Sequence, residues 1–258
     1  MPDGCVRVDV DAKHGVATVT LDRPEARNAL NTTLLVELDA AYDRVLDADD
    51  VAAVVLTGAD PSFCAGMDLR ELGGDASNLG LDFCTRLWES PTPVIAAVNG
   101  AAVTGGLELV LACDVVVASE KARFADTHAR VGLMPGAGMS VLLPHAIGLR
   151  RAREMSLTGR FMGADEARLA GLANRVVPHG ELLDAAVKLA REIAANDRAI
   201  VRRMNQLLTE NSRLSIGDAL ANEAAGFRRF VRGELDPSSV EQRREAIIEA
   251  GRRGSGAV

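Results

Sequence analysis

Residues 94–110 read VIAAVNGAAVTGGLELV, and this stretch decides the fold. Val94–Val98 is apolar without alternation, the pattern of a strand covered on both faces, as in a parallel α/β sheet. Asn99-Gly100 ends that strand. After a few small residues, Gly105-Gly106 opens into an apolar run through Cys113 that reads as a helix. A strand that gives way to a helix leaves backbone N–H groups free at the helix start. Small residues there let a ligand come close to the main chain. Residues 62–71, SFCAGMDLRE, form a second loop of this kind, just after the apolar strand Ala53–Leu56 and Thr57-Gly58. Either loop alone is an ordinary turn. Two sets of free amides aimed at one spot would make an oxyanion hole.

Upstream, Val6–Val10 and Val16–Leu21 alternate about His14-Gly15 and predict a hairpin. Arg23-Pro24 stops it. Asn31 then offers an N-cap for a helix whose apolar positions are Leu34, Leu35, Leu38, Ala41, Tyr42 and Val45. Downstream, Val115–Ala118 is a further apolar strand. Past Gly148 the chain turns helical: Arg150–Leu157, Ala164–Ala170, Glu181–Ala194, Arg198–Leu208, Ile216–Val231 and Val240–Ala250, with a short strand at Arg175–Val177. No repeat is evident at the residue level.

The chain has 258 residues, with 29 Lys+Arg against 36 Asp+Glu and a net charge of −7. An acidic chain lacks the basic face that a nucleic-acid partner requires. Six Phe, one Tyr and one Trp are too few for a base-stacking platform. The motifs GxxxxGK[ST], HExxH and GxSxG are absent, and Gly136-Ala137-Gly138 lacks the third glycine of a dinucleotide fingerprint. Cys5, Cys64, Cys84 and Cys113 lie far apart with no ligand spacing, and read as reduced thiols in a reducing compartment. No signal-peptide pattern opens the sequence. The uncharged stretches Ser90–Leu107 and Val131–Leu149 hold too many prolines and glycines to span a membrane, and are expected to be buried backbone that turns sharply. A soluble, cytoplasmic protein with no membrane or nucleic-acid partner is expected.

The pair FCAGMDL (63–69) and NGAAVTGGLEL (99–109) resembles the crotonase, or enoyl-CoA hydratase/isomerase, superfamily. RPEARNAL (23–30), VGLMPGAG (131–138) and the segment from SLTGR (156–160) to ADEARLAGLANRVVP (164–178) match the same pattern in the same order, so the resemblance covers nearly the whole chain. It implies an α/β fold, a superhelix of ββα units over residues 1–196 carrying the active site. A helical region over 197–258 would pack subunits into trimers or hexamers. The implied substrates are acyl-coenzyme A thioesters, with coenzyme A part of the substrate and no metal, cofactor or prosthetic group. By position, the N–H groups of Met67 and Gly105 would hold the thioester oxygen. Arg27, Ala29, Ala65, Gly66, Met67, Asp68, Leu69, Gly105 and Gly106 would bind the substrate and its coenzyme.

The resemblance also implies a pair of glutamates for hydration. Glu108 matches the first; it lies one helical turn after Gly105, on the same face. Its neighbours Leu107 and Leu109 to Ala112 leave little polar face, so its carboxyl should titrate high, which suits acid–base work. The second position, four residues before Gly132, holds His128 instead. If this segment enters as an extended strand, Asp126 and His128 share a face, and Asp126 either orients the imidazole or keeps it charged as a supporting residue, or itself acts as the acid. Otherwise His128 fills polar space in a pocket that has lost its acid. Gly136 stands where dehalogenase-like relatives carry an aspartate nucleophile. His145, beside Pro144, reads as a packed histidine, and His14 and His179 as solvated turn residues.

Around the periphery, Arg27 is either a contact for the coenzyme phosphates or a solvated turn arginine. Arg228, Arg229, Arg232, Arg243 and Arg244 are either phosphate contacts across subunits or a wet helix face. An aromatic that some relatives carry near position 240 is Val240 here. The segment Gly73–Trp88 suggests a mobile lid. The activity expected is enoyl-CoA hydration with Glu108 and His128 as catalytic residues. The alternatives are enoyl-CoA isomerisation or another reaction of the superfamily (thioester hydrolysis, decarboxylation), and acyl-CoA binding with little turnover.

Overall fold

The alternating N-terminal runs pair as their pattern predicts. In the computed structural model, which describes residues 4–71, 82–238, 240, 241, 243, 244 and 248, β1 (Val6–Asp11) and β2 (Val16–Leu21) form an antiparallel hairpin. α1 (Thr32–Val45) follows, and Asn31 Oδ1 accepts the Leu34 N–H at 2.9 Å, satisfying one of the free donors at its start. The chain then builds three units of two strands and a helix. These are β3 (Ala53–Gly58), β4 (Ser62–Cys64) and α2 (Asp82–Glu89); β5 (Val94–Val98), β6 (Ala101–Val103) and α3 (Gly105–Ala112); and β7 (Val115–Ser119), β8 (Arg123–Ala125) and α4 (His128–Val131). The units begin at residues 53, 94 and 115, and this unequal spacing hides the repeat from the sequence.

After them come α5 (Met139–Ile147), α6 (Leu149–Thr158), β9 (Met162–Gly163), α7 (Ala164–Ala170), β10 (Arg175–Val177), α8 (Leu182–Ala194), α9 (Arg198–Asn211) and α10 (Ile216–Gly233). The first strands of the units join the hairpin in a six-stranded sheet of order β1-β2-β3-β5-β7-β10, parallel from β2 onward. Their second strands form a smaller sheet, β4-β6-β8-β9. Each unit thus adds one strand to each sheet.

The apolar strands lack alternation because both faces are covered. Ala53, Val55, Ile95, Ala97 and Val117 pack against Leu182, Ala186 and Ala190 of α8. The intervening Val54, Leu56, Ala96 and Val98 face a larger core with Leu34, Leu38 and Tyr42 of α1 and Leu107 and Val110 of α3. Full burial of each large aliphatic side chain there stabilises the fold by about 1.5–3 kcal/mol. α3 sits so close to the small sheet that a Cβ on Gly106 would collide with the Cys64 carbonyl oxygen.

Ser90–Leu107 is buried, as expected, but most of Val131–Leu149 is not. Val131, Met134, Val141 and Leu149 are exposed, and α5 runs straight through Pro144. The carbonyl that loses its donor there belongs to Ser140, an exposed residue that water can reach. α2 occupies the C-terminal part of the expected lid; residues 72–81 lie outside the described residues, as do residues 251–258 and most of the expected helix Val240–Ala250.

The chain separates into two compact units, Met1–Gln206 and Leu207–Val258. In the second, α10 is capped by Ser215, whose Oγ accepts the Asp218 N–H at 3.2 Å, and Asn222 donates to Asn211 Oδ1 at 2.9 Å. Among the described residues, no helix is long and apolar enough to cross a membrane.

Candidate active site

The turn at Arg23–Leu30 anchors the first glycine loop. Asn28, fully buried at φ 56°, donates to the carbonyls of Ala59 and Ser62 at 2.8 and 2.7 Å and accepts the Arg23 N–H at 2.8 Å. Arg23 in turn reaches Asp68 Oδ2 at 2.8 Å. Three backbone bonds complete the join: Ala65 N–H to Arg27 O, Leu30 N–H to Gly66 O and Asp68 N–H to Leu30 O, at 3.1, 2.8 and 2.8 Å. This is a parallel bridge centred on Met67, and in that pattern the central residue's own N–H points away from its partner strand.

The second loop lies against the first. Gly66 sits at φ 93°, and a Cβ there would lie 2.8 Å from Val103 O and 3.6 Å from Gly105 N. A Cβ on Gly105 would lie 3.8 Å from Met67 N. Gly105 opens α3, so its N–H has no acceptor within the helix. Just before it, Thr104 holds φ 53° and ψ −110°, a conformation costing about 1–3 kcal/mol for a β-branched residue. The surroundings enforce it: Thr104 N–H bonds Ala125 O at 2.8 Å, and its hydroxyl meets that of Thr127 at 2.6 Å.

Met67 and Gly105 line one cavity of about 210 Å³, with Ala65, Leu69, Glu108 and His128. Glu108 lies in the first turn of α3 and is 4% exposed. Its Oε1 accepts N–H bonds from Ala137 at 3.0 Å and Met139 at 3.4 Å, where α5 begins. Its Oε2 has no hydrogen-bond partner among the described residues. Burial raises the carboxyl pKa, against the pull of the Ala137 amide and the His128 charge.

His128 opens α4 across the cavity. Its Nδ1 lies 2.7 Å from Asp126 Oδ1, and its backbone N–H bonds the same oxygen at 3.1 Å. The pairing expected from a shared strand face therefore exists, but by a different route. β8 ends at Ala125, and Asp126 bends back over the first turn of α4. Burial pushes the Asp126 carboxyl up, yet hydrogen bonds from His128 and the Ser156 hydroxyl outweigh it and leave the pKa lowered.

The other expected residues divide as follows. Arg27 is exposed beside the loop. Ala29 is buried, Asp68 is held by Arg23, Gly106 is wedged against Cys64, and Asp126 stands behind His128; none of these lines the cavity. Gly66 shapes the loop without lining it. His145 is exposed, not packed: α5 buries Met139, Leu143 and Ile147, every fourth residue, and position 145 falls on the opposite side. His14 is exposed and pairs with Asp11 at 2.7 Å. His179 is not simply solvated, because it bridges Ser119 Oγ at 3.0 Å and Asp60 Oδ2 at 3.2 Å. Arg228, Arg229 and Arg232 lie exposed on α10, Arg244 pairs with Glu241 at 3.0 Å, and Val240 is exposed.

Sequence reasoning missed the rest of the wall: Thr104, Thr127, Phe83, Val131, Leu133 and Met134. It also missed the amides of Ala137 and Met139. Their signal was the Gly136-Ala137-Gly138 run ahead of a helix, a place where free N–H groups gather around an anion, here a carboxylate of the chain itself.

A family model described as enoyl-CoA hydratase/isomerase matches residues 11–241. A probable peroxisomal enoyl-CoA hydratase of Arabidopsis thaliana is 38% identical over 223 residues, 85% of this chain and 84% of that protein. The crystal structure of an enoyl-CoA hydratase from Mycobacterium smegmatis is 45% identical with a TM-score of 0.74, covering 89% of this chain and 99% of that one. That of an enoyl-CoA hydratase from Bacillus anthracis is 31% identical with a TM-score of 0.86, covering 94% and 96%.

Proposed function

The chain belongs to the enoyl-CoA hydratase/isomerase family, and on that premise we propose that it adds water to a trans-2-enoyl-CoA. The observation that carries this reading is a carboxylate and an imidazole, Glu108 and His128, buried in one cavity whose wall holds two backbone donors, those of Met67 and Gly105, with no acceptor among the described residues. The thioester oxygen sits between the two donors, and each stabilises the developing enolate by about 3 kcal/mol. Glu108 Oε2 takes a proton from water as its oxygen bonds to C3. The C2–C3 π pair moves into the thioester as an enolate. Collapse of the enolate forms a C–H bond at C2 with a proton from His128, and solvent returns the proton balance. A raised Glu108 pKa makes it a stronger base once ionised.

Hydration of crotonyl-CoA, followed as loss of enoyl absorbance, tests this. Turnover that Glu108→Gln abolishes supports the reading. Acyl-CoA binding with no hydration, unchanged by Glu108→Gln, overturns it in favour of a binding protein. One observation favours a second reading: among the described residues, the cavity is lined by a single carboxylate, Glu108, opposite an imidazole. A single base can move a proton between two carbons, which is enoyl-CoA isomerisation. Conversion of a 3-enoyl substrate with 2-enoyl substrate untouched selects that reading.

We further place Arg27 near the coenzyme phosphates, since its guanidinium is exposed beside the Ala65–Asp68 loop. Exposed Leu208, Ile216, Leu220 and Phe227 support self-association, as a trimer or hexamer. Four free thiols favour a cytoplasmic location.

A further inference from the structure

His128 is held at two points by one atom. Asp126 Oδ1 accepts from both the backbone N–H and Nδ1 of the same histidine, at 3.1 and 2.7 Å. The carboxylate is almost wholly buried and does not line the cavity, whereas the imidazole does. An ionised carboxylate only accepts hydrogen bonds, so the ring atom facing it must carry a proton. That leaves Nε2 as the nitrogen free to exchange a proton with anything in the cavity.

We propose that Asp126 is a positioning residue that locks His128 in the Nδ1–H tautomer and aims Nε2 at the substrate opposite Glu108. The Ser156 hydroxyl on α6 also hydrogen-bonds the carboxylate. The charged groups facing the imidazole are then Asp126, from the turn before α4, and Glu108, from α3. From α6 the neutral Ser156 reaches Asp126, and Thr104 and Thr127 contribute neutral hydroxyls to the cavity. A histidine so placed keeps the proton on Nδ1 facing Asp126 and exchanges the one on Nε2 with the cavity. Without Asp126 either ring nitrogen could carry the proton, and the neutral ring would no longer be held in the Nδ1–H form.

The inference rests on the hydratase reading for its kinetic arm only. Long-range proton–nitrogen correlation spectra of histidine-labelled protein report tautomers directly. The chain has four histidines, so His128→Ala assigns the signal. At alkaline pH, wild-type His128 is expected in the Nδ1–H form, and the Nε2–H form there overturns the proposal whether or not the protein hydrates crotonyl-CoA. In Asp126→Asn the Nε2–H form is expected to appear, with kcat down at least tenfold and KM for crotonyl-CoA unchanged within twofold. Asp126→Glu should restore part of kcat. An Asp126→Asn protein with the wild-type tautomer and kcat overturns the proposal. If Asp126→Asn does not fold, the wild-type tautomer alone decides. Absence of hydration by wild type counts against the hydratase reading and leaves the tautomer result to judge Asp126.

Discussion

Ala137 donates its backbone N–H to Glu108 Oε1 at 3.0 Å, across 29 residues of chain. The start of α5 thereby fixes one oxygen of the carboxylate, and Oε2 is left for the cavity. Glu108→Gln keeps an oxygen for Ala137 and Met139 but cannot take a proton. Its kcat for crotonyl-CoA should fall about 10²- to 10⁴-fold, with the fold intact by circular dichroism.

The same residue sets a stability trend with pH. Its folded pKa is raised by burial above the unfolded value. The protonated carboxyl is therefore favoured by folding, and this contribution is fully present below the ordinary carboxylate range. It is lost as pH rises through the raised folded value. Thermal melts of Glu108→Gln against wild type should show the variant equal or higher in Tm at pH 8, with the difference shrinking toward pH 4. A variant that melts lower at pH 8 would count against a buried, reluctant carboxylate.

Asp68 runs the other way. The Arg23 guanidinium holds its carboxyl below the usual range. Its contribution is present above the unfolded carboxylate pKa and lost as pH falls through the folded one. Asp68→Asn should lower Tm at pH 7 and make little difference near pH 3. Its KM for crotonyl-CoA should rise, because the loop bearing Met67 loses a tether.

Gly106→Ala drives a methyl into the Cys64 carbonyl, a backbone atom that cannot step aside. Overpacking of this kind costs about 1–3 kcal/mol. Urea unfolding should show that loss with an unchanged m-value.

Asn28→Ala strips hydrogen bonds from two backbone carbonyls, those of Ala59 and Ser62, and puts alanine at φ 56°. The expected loss is about 3 kcal/mol, read from the same urea experiment. A loss below about 0.5 kcal/mol would show that water replaces the amide freely.

Local pattern made part of this legible in the sequence. The hairpin and α1 show their period and, at Asn31, their cap. The apolar strands show their double burial. β4, β6 and β8 have three residues each, too short to display a period, so the second sheet is invisible without its partners. Glu108 was legible from the family resemblance, and its burial from helix neighbours that are all apolar. Its amide partners were not, because Ala137 and Met139 act through backbone that any residue carries. The contact between Asp126 and His128 was foreseen from a strand face and arises from a turn, where the two-residue spacing lets a side chain reach back to the following ring. His145 misled because apolar neighbours in sequence do not place a residue on the buried side of a helix.

Every step of the proposed reaction depends on the Met67 and Gly105 amides gripping one thioester oxygen. Isotope-edited infrared difference spectroscopy of a carbonyl-labelled acyl-CoA bound to the wild-type protein tests it most directly. The bound carbonyl should stretch at clearly lower frequency than in free acyl-CoA, because two hydrogen bonds weaken the C=O bond. A bound carbonyl with the frequency of the free thioester would contradict it.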